Sequence, residues 1–430
     1  MKRLDTSAAG FSADFATLLA ARGSDERSVA EPVRAILADV RSRGDDALCD
    51  YTARFDRLTL PADRLRISAE EIASEAARVP ADLMDALRTA GRRIETFHAA
   101  QMPQDLDFTD EDGIRLGMRW TPLDAVGLYV PGGKAAYPSS VLMNALPARV
   151  AGVKRLAMCV PAPDGVLNPV VLAAAQLCGV TEIYRIGGAQ AVGAMAFGTD
   201  LIAPVDRIVG PGNAYVAEAK RQVFGHVGID SIAGPSEVVV VADGQNDPRL
   251  VALDLLAQAE HDEQAQAILI TIDATFAERA AEAVHTELET LPRTAIASKS
   301  WEDHGAIIVV RSLEEAAEIV NALAPEHLEV MLDTPRDFSA MVRHAGAIFM
   351  GRNCPEAVGD YVGGPNHVLP TSRTARFASG LSVFDFIKRT TTIETDAAGL
   401  RRIGPAGVAL ATAEGLDAHA LSLSARLEKN

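Results

Sequence analysis

From about residue 114 onward, short apolar runs alternate with Ala-rich helical patterns, and this alternation restricts the chain more than any other feature. The runs "AVGLYVPGG", "RLAMCVP", "TEIYRIGG" and "DRIVGPGN" are each followed by a helical segment. Strands joined through helices return in the same direction, so they form a mostly parallel sheet with helices on both faces. A second series, "SEVVVVAD", "QAILITID", "GAIIVVRS", "HLEVMLD" and "GAIFMGRN", repeats the pattern. Two α/β units are expected.

The first third reads differently. Val33, Ile36, Leu37 and Val40 recur on one helical face, and Gly44 ends that run. Ser68 and Glu71 form a capping-box pattern opening a helical stretch that Pro80 interrupts, and Ser312 with Glu315 does the same later in the chain. After about residue 380 the pattern reverts to helix.

Composition excludes several classes. A formal charge of −17 argues against nucleic acid or an anionic membrane as partner. No stretch is long and apolar enough to span a membrane, and the N-terminus lacks an apolar leader core. Cys49, Cys159, Cys178 and Cys354 show no CxxC spacing, and Cys159 lies in an apolar run. They read as free thiols in a reducing, cytoplasmic setting.

Glycine-rich turns follow the strands of the first unit: Gly132 and Gly133, then Gly187, Gly188 and Gly193, then Gly210 and Gly212. None completes G-x-G-x-x-G, and a tight turn explains each one singly. Three at the carboxyl ends of consecutive strands point to a nucleotide or dinucleotide, because backbone N–H groups approach a phosphate there.

The segment "NALAPEHLEVML" raises a different question, since it is nearly all apolar yet carries Glu326 and His327 side by side. Neighbours on a strand point to opposite faces, so one should face the core, unless a strand end lets both reach water. Metal candidates include Gln258 and His261, three apart on one helical face; Asp360 and His367 in a long loop from Gly351 to Thr371; and Glu414 with His419. No HExxH spacing is present, and a lone histidine such as His261 is more commonly a helix-end residue. The loop is long enough to suggest function. His98, His226, His285, His304 and His344 read as residues of polar faces or element ends.

"VGLYVPGG", "YPSSVLMNALPARVAGV", "IGGAQAV", "VGPGNAYVAEAKRQV", "AGPSEV", "LLAQAEH", "APEHLE", "GDYVGGPNHVLPT", "FASGLSVFDFIKR" and "AEGLDAHA" resemble, in order, the motifs of the histidinol dehydrogenase family. That family is a zinc-dependent, NAD-linked dehydrogenase of histidine biosynthesis, taking L-histidinol to L-histidine through an aldehyde by two hydride transfers. The resemblance implies two Rossmann-like, incomplete doubly wound α/β domains with small helical segments at the N- and C-terminal ends. It implies an N-terminal arm (1–25), a substrate and zinc domain (26–120 with 235–380), an NAD domain (121–234) and a helical tail (381–430) exchanged in a homodimer. By motif, Tyr129, Gln190 and Asn213 match NAD contacts, and Gln258, His261, Asp360 and His419 match zinc ligands. Ser236, His367 and Glu414 match substrate-holding positions, where His327 and the zinc ligands also touch substrate. Glu326 and His327 match the acid–base pair. Lys134 in the PGG turn and the residues after His261 in "HDEQ" fall at variable positions. A relative acting on another polar alcohol, such as a sulfonated diol, would share the fold; a zinc hydrolase would leave the glycine turns unexplained; an inactive scaffold would be expected to have lost ligands.

Overall fold

A computed structural model describes residues 1–20, 29–132 and 137–428. The readings of Gly133 and Lys134, and the arm boundary near residue 25, fall outside the described residues.

Two parallel sheets form the frame. One has five strands, in spatial order Glu182–Tyr184, Arg155–Cys159, Ala125–Tyr129, Arg207–Val209 and Gly228–Ile229. Counted along the chain, that order is 3-2-1-4-5. The other has six, in the order Lys2–Asp5, Ala306–Val309, Gln266–Thr271, Glu237–Ala242, His327–Met331 and Ala347–Met350. Its last five strands repeat 3-2-1-4-5, and Lys2–Asp5 adds to the edge beside Ala306–Val309. This is the order of a doubly wound sheet lacking its sixth strand. Both faces are covered, which is why strands such as Glu237–Ala242 are buried along their whole length. The N-terminal arm is therefore not purely helical: a strand leads into the helix Phe11–Ala20.

The helices between residues 30 and 99 were expected to complete the second unit. Instead they cover the five-stranded sheet. Val33, Ile36, Leu37 and Val40 of Ala30–Arg43 pack with Ala189, Val192 and Met195. Ile72, Leu87 and Ile94, from helices Ala69–Ala76 and Ala81–Ala99, pack with Leu142, Leu146 and Leu172. The reason lies in the helix Pro138–Val150, buried without a break from Ser140 to Ala148. A helix apolar all round needs an outer layer, and the N-terminal helices supply it. Of each capping box the serine half forms: Ser68 and Ser312 accept from the N–H of Glu71 at 3.1 Å and of Glu315 at 3.3 Å. Pro80 separates two helices. His98 is buried, its Nδ1 2.8 Å from the Ile94 carbonyl, and not on a polar face.

The tail also departs from expectation. Ile387–Glu394 is a strand, antiparallel to Arg115–Pro122, which also pairs with Leu106–Thr109. Its run of threonines with Ile393 favours the pleated state. Beyond it, helices Ala397–Ala413 and Asp417–Glu428 form a hairpin, Gly404 and Gly407 facing Leu427 and Leu423. Among the described residues, no helix is long and apolar enough to cross a membrane.

Candidate active site

The five-stranded sheet gathers its candidates at the carboxyl edge. Ala125–Tyr129 and Arg207–Val209 are neighbours whose onward connections leave to opposite sides, and a crevice opens where they part. Tyr129 ends the first of these strands; its hydroxyl accepts the Gly188 N–H at 3.0 Å, and burial pushes the phenol up to about 12. Gln190 is buried, and its Oε1 has no hydrogen-bond partner among the described residues. Asn213 caps the helix Ala214–Val223, accepting from the N–H groups of Tyr215 and Val216 at 3.0 and 3.2 Å. Gly210 takes φ +112°, and a Cβ there would collide with the Tyr129 carbonyl, so the close approach of the two turns requires glycine.

The six-stranded sheet places its candidates at the opposite, amino edge. His327 is the first residue of its strand and Glu326 precedes it. Both side chains converge on the backbone of Glu237, first residue of the neighbouring strand. Glu326 Oε2 accepts the Glu237 N–H at 2.9 Å, and His327 Nδ1 lies 3.0 Å from the Glu237 carbonyl. A carbonyl only accepts, so Nδ1 carries the proton and Nε2 keeps its lone pair. The two are not on opposite faces, because Glu326 lies outside the strand. Nor do they reach water: Glu326 is 6% exposed and His327 4%. Burial lowers the imidazole to about 3 and raises the Glu326 carboxyl well above its usual range.

Other elements close around Nε2, which has no hydrogen-bond partner among the described residues. Asp360 Oδ1 lies 3.9 Å from it, and Glu356 Oε1 lies 3.6 Å from Nδ1. Both carboxylates stand on a short helix, Glu356–Tyr361, so the stretch from 351 to 371 is not devoid of structure. Burial raises Asp360 to about 6. Gln258 belongs to the helix Pro248–Ala259, whereas His261 sits in the turn just beyond it. Gln258 is 0% exposed, and neither atom of its amide has a hydrogen-bond partner among the described residues. Burial lowers His261, and lowers His367 to about 4 with a smaller contribution from His261; these two also act electrostatically on His327. Ser236, half-buried, precedes Glu237 on the same edge.

A buried amide without partners, neutral imidazoles and a carboxylate make a donor set that fits a metal ion. Donor atoms of His327, Glu356 and Asp360 also lie within 4.8 Å of one another. Glu414 and His419 are not part of this cluster; both are exposed on the C-terminal hairpin.

Three acids escaped the sequence reading, Glu329 and Glu356 buried and Asp254 half-buried. Glu329 Oε1 accepts the Glu356 N–H at 2.6 Å, and Asp254 and Glu329 hydrogen-bond each other. Burial raises Glu329 and Glu356 well above the carboxylate range and Asp254 to about 6. The signal lay in spacing: Glu329 is two beyond His327, Glu356 four before Asp360, and Asp254 four before Gln258.

The family model described as histidinol dehydrogenase matches residues 19–427. The chain belongs to the histidinol dehydrogenase family. It is 95% identical to the histidinol dehydrogenase of Gluconobacter oxydans (strain 621H) over the whole of both chains. It is 63% identical to that of Rhodospirillum rubrum, over 99% of each chain. The crystal structure of histidinol dehydrogenase from Elizabethkingia anophelis superposes with a TM-score of 0.95 at 36% identity, covering 100% of this chain and 98% of that one. These matches lend no support to a relative acting on another polar alcohol.

Proposed function

We infer that this chain carries out the family's reaction, the NAD-dependent oxidation of L-histidinol to L-histidine through the aldehyde, in histidine biosynthesis. One observation carries the chemical reading: Glu326 and His327, two titratable neighbours, are both buried and both held by one backbone unit. Two oxidations separated by a hydration need two distinct proton acceptors.

His327 Nε2, neutral and unpartnered, takes the hydroxyl proton as hydride leaves the carbinol carbon. Glu326 takes a proton from the water that adds to the aldehyde carbon while His327 returns its proton to the carbonyl oxygen, so the hydrate forms and the imidazole is neutral again. His327 then takes the proton of the hydrate as the second hydride leaves. NAD, when bound, would supply the hydride acceptor for each oxidation. Tyr129, Gln190 and Asn213 hold that cofactor at the carboxyl edge of the five-stranded sheet. Gln258, His261 and Asp360 hold zinc, which when bound orients the imidazole and amine of the substrate. Ser236 and His367 line the same pocket.

Glu414 and His419 complete the site from a second copy of the chain. The support is twofold. Both are exposed in the single chain, and so are the large apolar side chains Leu410, Leu416 and Leu421 on the hairpin and Ile393 and Phe108 on the antiparallel sheet. Such a surface suits a homodimer with exchanged tails. Four free cysteines support a reducing, cytoplasmic setting.

The test is an assay of reduced nicotinamide with L-histidinol, which should yield two equivalents per histidine formed. One equivalent, with aldehyde accumulating, would overturn the two-step reading. Co-expressing a His327→Ala chain with a His419→Ala chain tests the shared site. Each homodimer is inactive, while mixed dimers hold one intact site, so roughly a quarter of all sites should recover with random pairing. Paired, folded chains with no recovery would show that His419 serves its own subunit.

A further inference from the structure

Behind the turn "VGPGN" lies an ion pair that no part of the proposed chemistry uses. Lys220, on the helix Ala214–Val223, and Asp230, just after the strand Gly228–Ile229, pair with each other in the interior, their side chains 2% and 3% exposed. Both also grip one peptide unit on each side of Gly210. Lys220 Nζ donates to the Gly210 carbonyl at 3.1 Å, and Asp230 Oδ2 accepts the Gly210 N–H at 2.8 Å. The other oxygen, Oδ1, accepts the Ser231 N–H at 2.7 Å.

Burying two charges costs several kcal/mol, and an apolar pair of the same volume commonly serves stability as well or better. A pair retained here does something an apolar pair does not. Gly210 is the residue that must pass against the Tyr129 carbonyl at φ +112°, and three residues later Asn213 starts the helix. An amide donor and a carbonyl acceptor on the same glycine, both occupied by the pair, fix the turn's rotation about that residue. They also fix the distance between Tyr129 on one central strand and Asn213 beyond the other.

We propose that Lys220 and Asp230 are positioning residues for the dinucleotide: the pair clamps Gly210 through both of its backbone groups and so presets the Tyr129–Asn213 crevice before NAD arrives. This rests on the reading that NAD occupies that edge. Binding to a preset crevice avoids the cost of ordering the turn, so loss of the clamp should appear as weakened NAD affinity.

In the full-length enzyme, Lys220→Met should raise both the NAD dissociation constant, measured by direct titration, and the KM for NAD about tenfold or more. The KM for histidinol should not change, and kcat at saturating NAD should fall less than about twofold. The double variant Lys220→Met with Asp230→Leu leaves no unpaired charge, so thermal stability should return while NAD affinity stays weak. If NAD affinity returns together with stability, or if a folded Lys220→Met binds NAD normally, the pair is only structural and the proposal fails. Should Lys220→Met not fold, Asp230→Asn keeps shape and one acceptor and gives the same readout at smaller amplitude. Tyr129→Ala and Gln190→Ala separate the premise from the proposal. If these bind NAD normally, the placement of the cofactor is wrong; if they bind it weakly while the clamp variants do not, only the clamp is refuted.

Discussion

The two parallel sheets share one strand order yet use opposite ends of it. In the five-stranded sheet the crevice between the first and fourth strands opens at the carboxyl edge, lined by Tyr129 and the Gly210 turn. In the six-stranded sheet the equivalent central strands, Glu237–Ala242 and His327–Met331, bring their first residues together at the amino edge. The carboxyl edge of that second sheet is plugged. Arg352 Nη1 donates to Asp243 Oδ1 and to the Met331 carbonyl, both at 2.9 Å, and Nη2 donates to Asp333 at 2.9 Å. Asn246 Nδ2 donates to the same carbonyl at 2.9 Å. Side chains thus occupy the place where a doubly wound sheet usually takes its ligand. A shared strand order therefore says where a crevice is possible, and the residues at each edge decide whether it is open.

If the edges divide the labour, each should fail separately. Removing zinc by chelation should reduce turnover to background, with recovery on adding zinc back, while the NAD dissociation constant stays within about twofold. Full turnover in a verified metal-free sample would refute the metal reading; loss of NAD binding would break the separation of the edges.

Next in size, His327→Asn should slow oxidation of both the alcohol and added aldehyde by roughly 10²–10⁴-fold. Glu326→Gln should slow aldehyde oxidation more than alcohol oxidation. Stopped-flow traces with each substrate check this, and a Glu326→Gln enzyme slowed only on the alcohol would reverse the assigned roles.

At the other edge, Gly210→Ala forces a Cβ against the Tyr129 carbonyl at a positive φ. The strain should cost about 1–3 kcal/mol of stability in a denaturant titration, with weaker NAD binding and unchanged zinc content. Unaltered NAD affinity would mean the turn does not shape the cofactor crevice.

How far these edges could be read from sequence differs between them. The carboxyl edge announced itself, because glycine is needed where backbone passes backbone, as at Gly210, and such turns stand out among strands. The amino edge announced Glu326 and His327, conspicuous as charges in an apolar run, and offered Gln258, His261, Asp360 and His367 only as scattered metal candidates. Its further members, Glu237, Glu356 and Asp254, come from three other elements, and sequence spacing carries no information about which strands become neighbours. The cover helices from 30 to 99 were misassigned for the same reason. Their apolar stripes were plain, yet a stripe does not name the surface it will meet. The tail strand was missed because "TTTIE" has one apolar residue, and its β preference lies in branching alone.

The smallest effect concerns acid. His367 is held at about 4 by burial, against 6.5 in the unfolded chain. A depressed imidazole means the unfolded chain binds the proton first, so this contribution is complete above pH 6.5 and is lost as pH falls towards 4. Asp360, raised to about 6, has the opposite sign, because the folded state takes its proton first and gains between pH 6 and 3.8. The difference between parent and His367→Asn isolates the histidine. Denaturant titrations of metal-free protein at pH 7 and pH 4 should show the variant losing less stability, by at most about 3 kcal/mol. Equal losses would place His367 in water.

The hold on Glu326 and His327 has a consequence for how this site tolerates change. Both side chains are anchored by the peptide groups of Glu237, whereas the carboxylate of that residue accepts instead from the Ser372 N–H at 3.0 Å. Peptide groups are common to every amino acid but proline, which lacks only the N–H. Every substitution at 237 except proline would therefore report on the loop around Ser372 and be blind to the anchor itself. The feature that most firmly orients the chemistry is thus one that sequence drift cannot easily erase, and that a comparison of side chains would never reveal.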